Sequence, residues 1–189
     1  MNSSSAGNLR IFTTVSSIWA TVFGLIGPFY VVYVERLSDG MEQLGISFSI
    51  MVLFQSLTAY FAGRFSDRLG RRPFLFLTAY SAAAVLFFYT VINETYQLYL
   101  LQGMLGITSG VEDTISTSLL GDLTVKEQRG KTIGKFNAIV SFSSAVGLAL
   151  GGYMAKFYGL KSLFYLAASV VALSTVLLFF IKEGTHETH

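Results

Sequence analysis

Six apolar stretches, near residues 10–35, 44–64, 74–92, 96–121, 134–155 and 161–181, fill most of a chain of 189 residues. Each approaches the roughly 20 residues that an α-helix needs to cross the hydrocarbon of a bilayer. The connections between them are short: Arg36–Gln43, Gly63–Arg72, Asn93–Thr95, Asp122–Ile133 and Lys156–Leu160. Inside a membrane no water is present to satisfy backbone N–H and C=O groups, so such stretches must be helices or strands of a closed barrel. Runs of this length specify helices. The expected fold is therefore an all-α membrane protein, one six-helix transmembrane domain over residues 1–189. Hydrophobic residues make up 52% of the chain and charged ones 13%, with a mean hydropathy of +0.58, values far from those of a soluble domain. The first stretch is too long for the apolar core of a cleaved signal peptide and has no good small-residue cleavage site after it, so it reads as a retained helix.

The same composition excludes several chemistries. There is no cysteine, hence no disulfide and no thiolate metal site. The two histidines, His186 and His189, sit in the polar tail at a spacing that matches no zinc motif. No P-loop and no G-x-S-x-G occurs. Glu112 and Asp113 are adjacent on one helix and so point to different faces, which rules out a carboxylate dyad. No enzyme activity, no cofactor, no metal and no nucleic-acid partner is expected.

Charge predicts the orientation. With an even number of helices both termini share one side. If that side is cytoplasmic, it carries Arg10, Arg64, Arg68, Arg71, Arg72, Lys126, Arg129, Lys131, Lys135 and Lys182, against Arg36, Lys156 and Lys161 on the other. This asymmetry follows the positive-inside rule.

An internal repeat is visible. Gly63, Asp67, Gly70 and Arg72 recur as Gly152, Lys156, Gly159 and Lys161, each displaced by 89 positions. The offset lays helices one to three, about 9–92, over helices four to six, about 96–181. Three is odd, so the second copy is inverted in the membrane, as in the repeats of secondary transporters.

The turn between helices two and three reads Gly63-Arg-Phe-Ser-Asp67-Arg68-Leu-Gly70-Arg71-Arg72-Pro73. It resembles the signature loop of the major facilitator superfamily, G-x-x-x-D-R-x-G-R-[RK], at every specified position. That family has twelve helices in two six-helix halves, and this chain resembles the N-terminal half. Asp122 and the downstream Arg129-Gly130 are similar to the acid ending helix four and the basic loop after it. The resemblance implies a cytoplasmic charge network and a gating latch built from Gly63, Asp67, Arg68, Gly70, Arg71, Arg72, Asp122 and Arg129. Gln102-Gly103 resembles the end of the family's helix-four pattern R-x-x-Q-G, with Tyr99 at the arginine position. Gly147-x3-Gly151-Gly152 is similar to the antiporter pattern G-P-x-x-G-G, with Leu148 at the proline position.

The residues carry further expectations of their own. Glu112 and Asp113 lie near the middle of helix four, where an isolated charge costs from about 2.5 to over 10 kcal/mol. At 100° per residue Asp113 shares a stripe with Gln102, Gly106, Ser109, Ser116 and Thr117, while Glu112 falls on its flank. The stripe is expected to face a wet cavity, with Asp113 binding a cationic solute or carrying a coupling proton; the competing reading is a buried acid satisfied by neighbouring hydroxyls. Asn137, Ser141 and Ser144 on helix five could line the same cavity or bond neighbouring helices. Tyr30 and other aromatics of helix one could touch an amphiphilic solute or simply pack, and Gly27-Pro28 is expected to bend that helix. Gly103, Gly106 and Gly110 permit close helix packing.

The leading expectation is a half-size secondary transporter in the lipid bilayer that moves a small-molecule solute by alternating access, proton-coupled, with a lean to cationic or amphiphilic substrates such as drugs. One half lacks the opposing cavity wall, so a homodimer or a second six-helix half is expected. The Met start and polar tail fit either a complete small protein or part of a longer one. The alternative is a structural membrane protein that does not transport.

Overall fold

The computed structural model describes residues 3–37 and 40–180, and the side chains of all of these except 3–5, 67–69 and 72. Lys182, His186 and His189 lie outside the described residues. Six α-helices follow one another: α1 Ser3–Leu37, α2 Met41–Leu69, α3 Arg72–Phe88, α4 Thr95–Asp122, α5 Arg129–Tyr158 and α6 Leu160–Thr175. A 3₁₀ turn, Lys126–Gln128, leads into α5, and another, Val176–Phe180, extends α6. Each expected apolar stretch falls mainly on a helix, although α3 stops at Phe88, short of the expected 92. The spans differ in character, however. The helical segments Ala6–Leu37, Met41–Ser66, Lys126–Tyr158 and Leu160–Phe180 are each long and apolar enough to cross a membrane. By contrast α3 is apolar but only 17 residues long, and α4 has 28 residues but carries Glu112, Asp113, Gln102 and several hydroxyls.

The contacts fix the direction of every helix. α2 packs mainly on α4, α1 on α5, and α3 on α6 and α4. Tyr99 hydrogen-bonds Gln43 near the start of both α4 and α2, and Gly63 meets Thr114 further along both, so these helices run parallel. Phe12 stacks on Phe136, and Gly151 lies against Leu25, so α1 and α5 are parallel too. Phe87 meets Tyr165 and Phe76 meets Phe179, which makes α3 and α6 antiparallel. The chain thus threads up and down in strict alternation, and Ser3 and Phe180 lie at one end of the bundle together with the α2–α3 and α4–α5 connections.

The core is built by α1, α3 and α6 with part of α4. On α1 the buried residues Phe12, Val15, Trp19, Val22, Ile26, Tyr30 and Tyr33 recur every three or four positions, the stripe of a helix packed on one side. Trp19 Nε1 donates to Ser174 Oγ at 3.0 Å, tying α1 to α6. Pro28 lies within α1 without interrupting it: helix continues on both sides to Leu37.

α2 and α5 are the outer helices, and glycine lets them dock. A Cβ on Gly106 would collide with the Met51 carbonyl, and one on Gly110 with the Gln55 carbonyl. On the other side of the bundle Gly147 meets the Thr21 carbonyl and Gly151 that of Leu25 in the same way. Helix backbones in contact gain dispersion that no side chain could supply across the gap. Of the expected close-packing series, Gly103 is the exception, with the Phe54 ring 3.5 Å from a Cβ built there.

Two turns share one backbone conformation. Gly70, between α2 and α3, has φ 84° and ψ 160°; Gly159, between α5 and α6, has φ 81° and ψ 165°. This region is open almost only to glycine. A single residue there reverses the chain between two long helices.

Candidate functional site

The two acids of α4 part company. Asp113 is exposed on the bundle, and Gln55 Nε2 of α2 donates to its Oδ2 at 2.7 Å. The pair exists because Gly110 draws the α2 backbone against α4 one turn away. Glu112 is half-buried and turns into the bundle, where its Oε1 accepts from Ser116 Oγ at 3.0 Å. Beside it lies a space of about 20 Å³ walled by Trp19, Thr78, Leu105, Thr108, Ser109 and Val171, among others. That is room for one water, and Thr78, Thr108 and Ser109 supply polar partners for it. The interior thus contains the acid that the helical wheel assigns to the flank.

Gln102 has different surroundings from Asp113. It is 1% exposed and donates from Nε2 to the Tyr30 hydroxyl at 2.5 Å. Tyr30 itself is buried in an aromatic group with Phe48 and Tyr89. Gln102 and Tyr30 therefore form an internal link between α4 and α1. The angular arithmetic was sound, but the stripe runs past two environments: α1 covers Gln102, and Asp113 emerges where that cover ends. Asn137 and Ser141 are exposed on α5, and among the described residues neither is hydrogen-bonded to α4.

At the end of the bundle that holds the α2–α3 turn, Arg71 Nη1 pairs with Asp122 Oδ2, joining the start of α3 to the end of α4. The arginine side chain is 21% exposed and the acid 52%. Arg129 does something else. Its Nη2 donates to the Gly121 carbonyl at 3.2 Å and its Nε to Thr124 Oγ1 at 3.3 Å. It therefore caps the C-terminus of α4, whose last carbonyls have no helical partner. Among the described contacts it does not join the Arg71–Asp122 pair. Gly63 stands at ordinary van der Waals distance from Thr114, 3.6 Å for a built Cβ, so only Gly70 has a conformational need for glycine in this turn. The expected contributions of Asp67, Arg68 and Arg72 fall on side chains outside the described ones.

Sequence reasoning missed one feature. A groove of about 850 Å³ lies between the N-terminal halves of α1 and α5, lined among others by Arg10 and Lys135. The sequence signals both cations, but only as markers of sidedness.

Comparison with known proteins accounts for this architecture. The chain is 29% identical over 160 residues to the Uncharacterized MFS-type transporter YitZ of Bacillus subtilis, covering 85% of this chain and 96% of that protein. It is 31% identical over 189 residues to Multidrug resistance protein MdtG of Proteus mirabilis, and 32% over 167 residues to that of Dickeya zeae. These matches span 97% and 85% of this chain but only 47% and 41% of the two MdtG proteins, less than half their length. The family profile described as Major Facilitator Superfamily matches residues 12–189, so this chain is an integral membrane protein and belongs to the Major Facilitator Superfamily.

Proposed function

We propose that this chain is one six-helix half of a secondary transporter, moving a small solute by alternating access as a homodimer or with a second six-helix half. The observation that carries the reading is Asp113. It is a carboxylate within a membrane helix, exposed on the bundle and held by Gln55 alone among the described contacts. Lipid cannot solvate it, and a charge at that depth is costly, so its face belongs to a wet cavity closed by another bundle. Asp113 is the group that would receive a cationic solute or a coupling proton. Glu112, with a water-sized space beside it, is a second proton site, and Asn137 and Ser141 line the same open face from α5. The MdtG relatives carry multidrug resistance in their name, which fits an amphiphilic substrate.

The inverted repeat belongs to this proposal. Its supports are the matching Gly70 and Gly159 conformations at positions 89 apart and the matching contact scheme, in which α2 on α4 becomes α5 on α1. Residues 1–189 then form a single domain of two three-helix units. In this reading both termini are cytoplasmic, and the cations at that end of the bundle support it. There the Arg71–Asp122 pair, with Asp67, Arg68 and Arg72, serves as the latch whose strength differs between the two access states.

The test is uptake into proteoliposomes. A lipophilic cationic dye is driven by an imposed pH gradient, with the chain wild type or Asp113→Asn. Wild-type uptake above empty vesicles, reduced at least tenfold by the substitution, is expected. Equal rates for the two proteins would remove Asp113 from the transport cycle.

A further inference from the structure

We infer that the groove between the first turns of α1 and α5 is a binding site for a single-chain anionic amphiphile. Its lining includes neither Asp113 nor Gln55, and it does not depend on the chain's being a transporter. Its volume, about 850 Å³, lies in the range of sites for drug-sized ligands. Its floor is apolar, with Leu9 and Ile18 from α1 and Phe136 and Ile139 from α5.

The polar part of the lining is one-sided in its chemistry. Arg10 and Lys135 bring two cations, and among the described residues no acidic one lines the groove. Among the described residues neither cation is paired with a carboxylate. The hydroxyls sort in the same direction. Thr13, Thr14 and Thr21 each donate to a carbonyl of their own helix, so their protons are committed. Ser17 Oγ is buried and has no hydrogen-bond partner, and it lies about 10 Å along α1 from Arg10 at 1.5 Å per residue. The groove therefore offers donors and positive charge at its mouth, a free hydroxyl deeper in, and apolar walls between. A cation would meet only repulsion at the mouth. A neutral amphiphile would leave Arg10 and Lys135 unanswered. A phosphate, sulfate or carboxylate head on an alkyl chain satisfies every part of the lining.

The opening is structural in origin. Gly24, Gly147 and Gly151 clamp the middle of α1 to the second half of α5. Toward the first turns no further glycine brings the two backbones together, and the rings of Phe12 and Phe136 stack between the helices with centroids 5.5 Å apart.

The experiment is photolabelling of the full chain in phosphatidylcholine discs with a diazirine-bearing octyl phosphate. Modified residues are located by mass spectrometry. Saturable labelling within residues 6–21 and 132–143 is expected. Arg10→Gln with Lys135→Gln should weaken half-saturation about thirtyfold, about fivefold for each cation near a membrane surface. The charge-preserving pair Arg10→Lys with Lys135→Arg should restore it, which separates charge from folding. The labelling is repeated in discs containing phosphatidylglycerol. Persistence there supports a soluble amphiphile as the occupant. Displacement supports the same anionic chemistry supplied by a lipid headgroup. Labelling that does not saturate, that is matched by an octyl trimethylammonium probe, or that is indifferent to the double Gln variant would overturn the inference.

Discussion

Gly106 offers a sharp test of how the outer helices are held. A methyl group placed there would lie 3.0 Å from the Met51 carbonyl carbon and 3.1 Å from its Cα, and nearer still to the oxygen. Carbon atoms in ordinary contact stand about 3.5–4.0 Å apart. The obstacle is backbone, so no rotamer change relieves it, and α2 must withdraw by roughly 0.5–1 Å along its contact with α4. Overpacking of this kind costs about 1–3 kcal/mol. Gly103 is the internal control on the same helix, because the nearest atom to a methyl there belongs to the Phe54 ring, at 3.5 Å. Gly→Ala in a helix otherwise favours folding by up to about 1 kcal/mol. Gly106→Ala should therefore lower stability by about 1–3 kcal/mol while Gly103→Ala leaves it unchanged or slightly raised. Equilibrium unfolding in mixed micelles of increasing sodium dodecyl sulfate, followed by circular dichroism, reads both. The reasoning fails if Gly106→Ala unfolds no earlier than Gly103→Ala.

Two further outcomes follow from the turns. Gly159→Ala forces a side chain into a conformation with φ 81° and ψ 165°, and should cost about 1–3 kcal/mol in the same assay; no loss there would show that the α5–α6 turn can relax to an ordinary conformation. Asp122→Asn removes a half-exposed ion pair with Arg71, worth about 0.2–1 kcal/mol. Hydrogen exchange of the last turn of α4 and the first turn of α3 should rise together by up to about fivefold, and a rise in only one of them would argue against the pair as their link.

The helices and their turns were legible because membrane spans declare themselves by length, and because Gly70 and Gly159 mark reversals that other residues resist. The glycines of α4 and α5 were legible as contact points, since small residues in apolar helices have few other uses. What the chain could not display one residue at a time was the partner of each face. A helical wheel orders Gln102 and Asp113 on one stripe, yet Tyr30 covers the first and Gln55 meets the second at the surface. It sets Glu112 aside, yet that carboxylate looks into the bundle. Arg129 reads as a member of a charge network, yet its guanidinium reaches the Gly121 carbonyl and the Thr124 hydroxyl at the end of α4. In each case the deciding fact is a neighbour far away in sequence, and periodicity holds no record of it.

The partnership of α2 and α4 bears on how the protein is made. Asp113 alone would add about 2.5–3.5 kcal/mol to the insertion of its helix, and α4 does not have the uniform apolarity of α1, α2, α5 and α6. Its partner is synthesised first, and Gln55 waits 58 residues in the chain for the acid that it will hold. We expect integration of α4 to be a tertiary event, in which the nascent helix leaves the translocation channel against the flank of one already in place. Glycosylation mapping of truncated chains would reveal it. α4 should enter the bilayer efficiently behind α2 and α3 and poorly by itself, and equal insertion in both settings would make α4 an autonomous span.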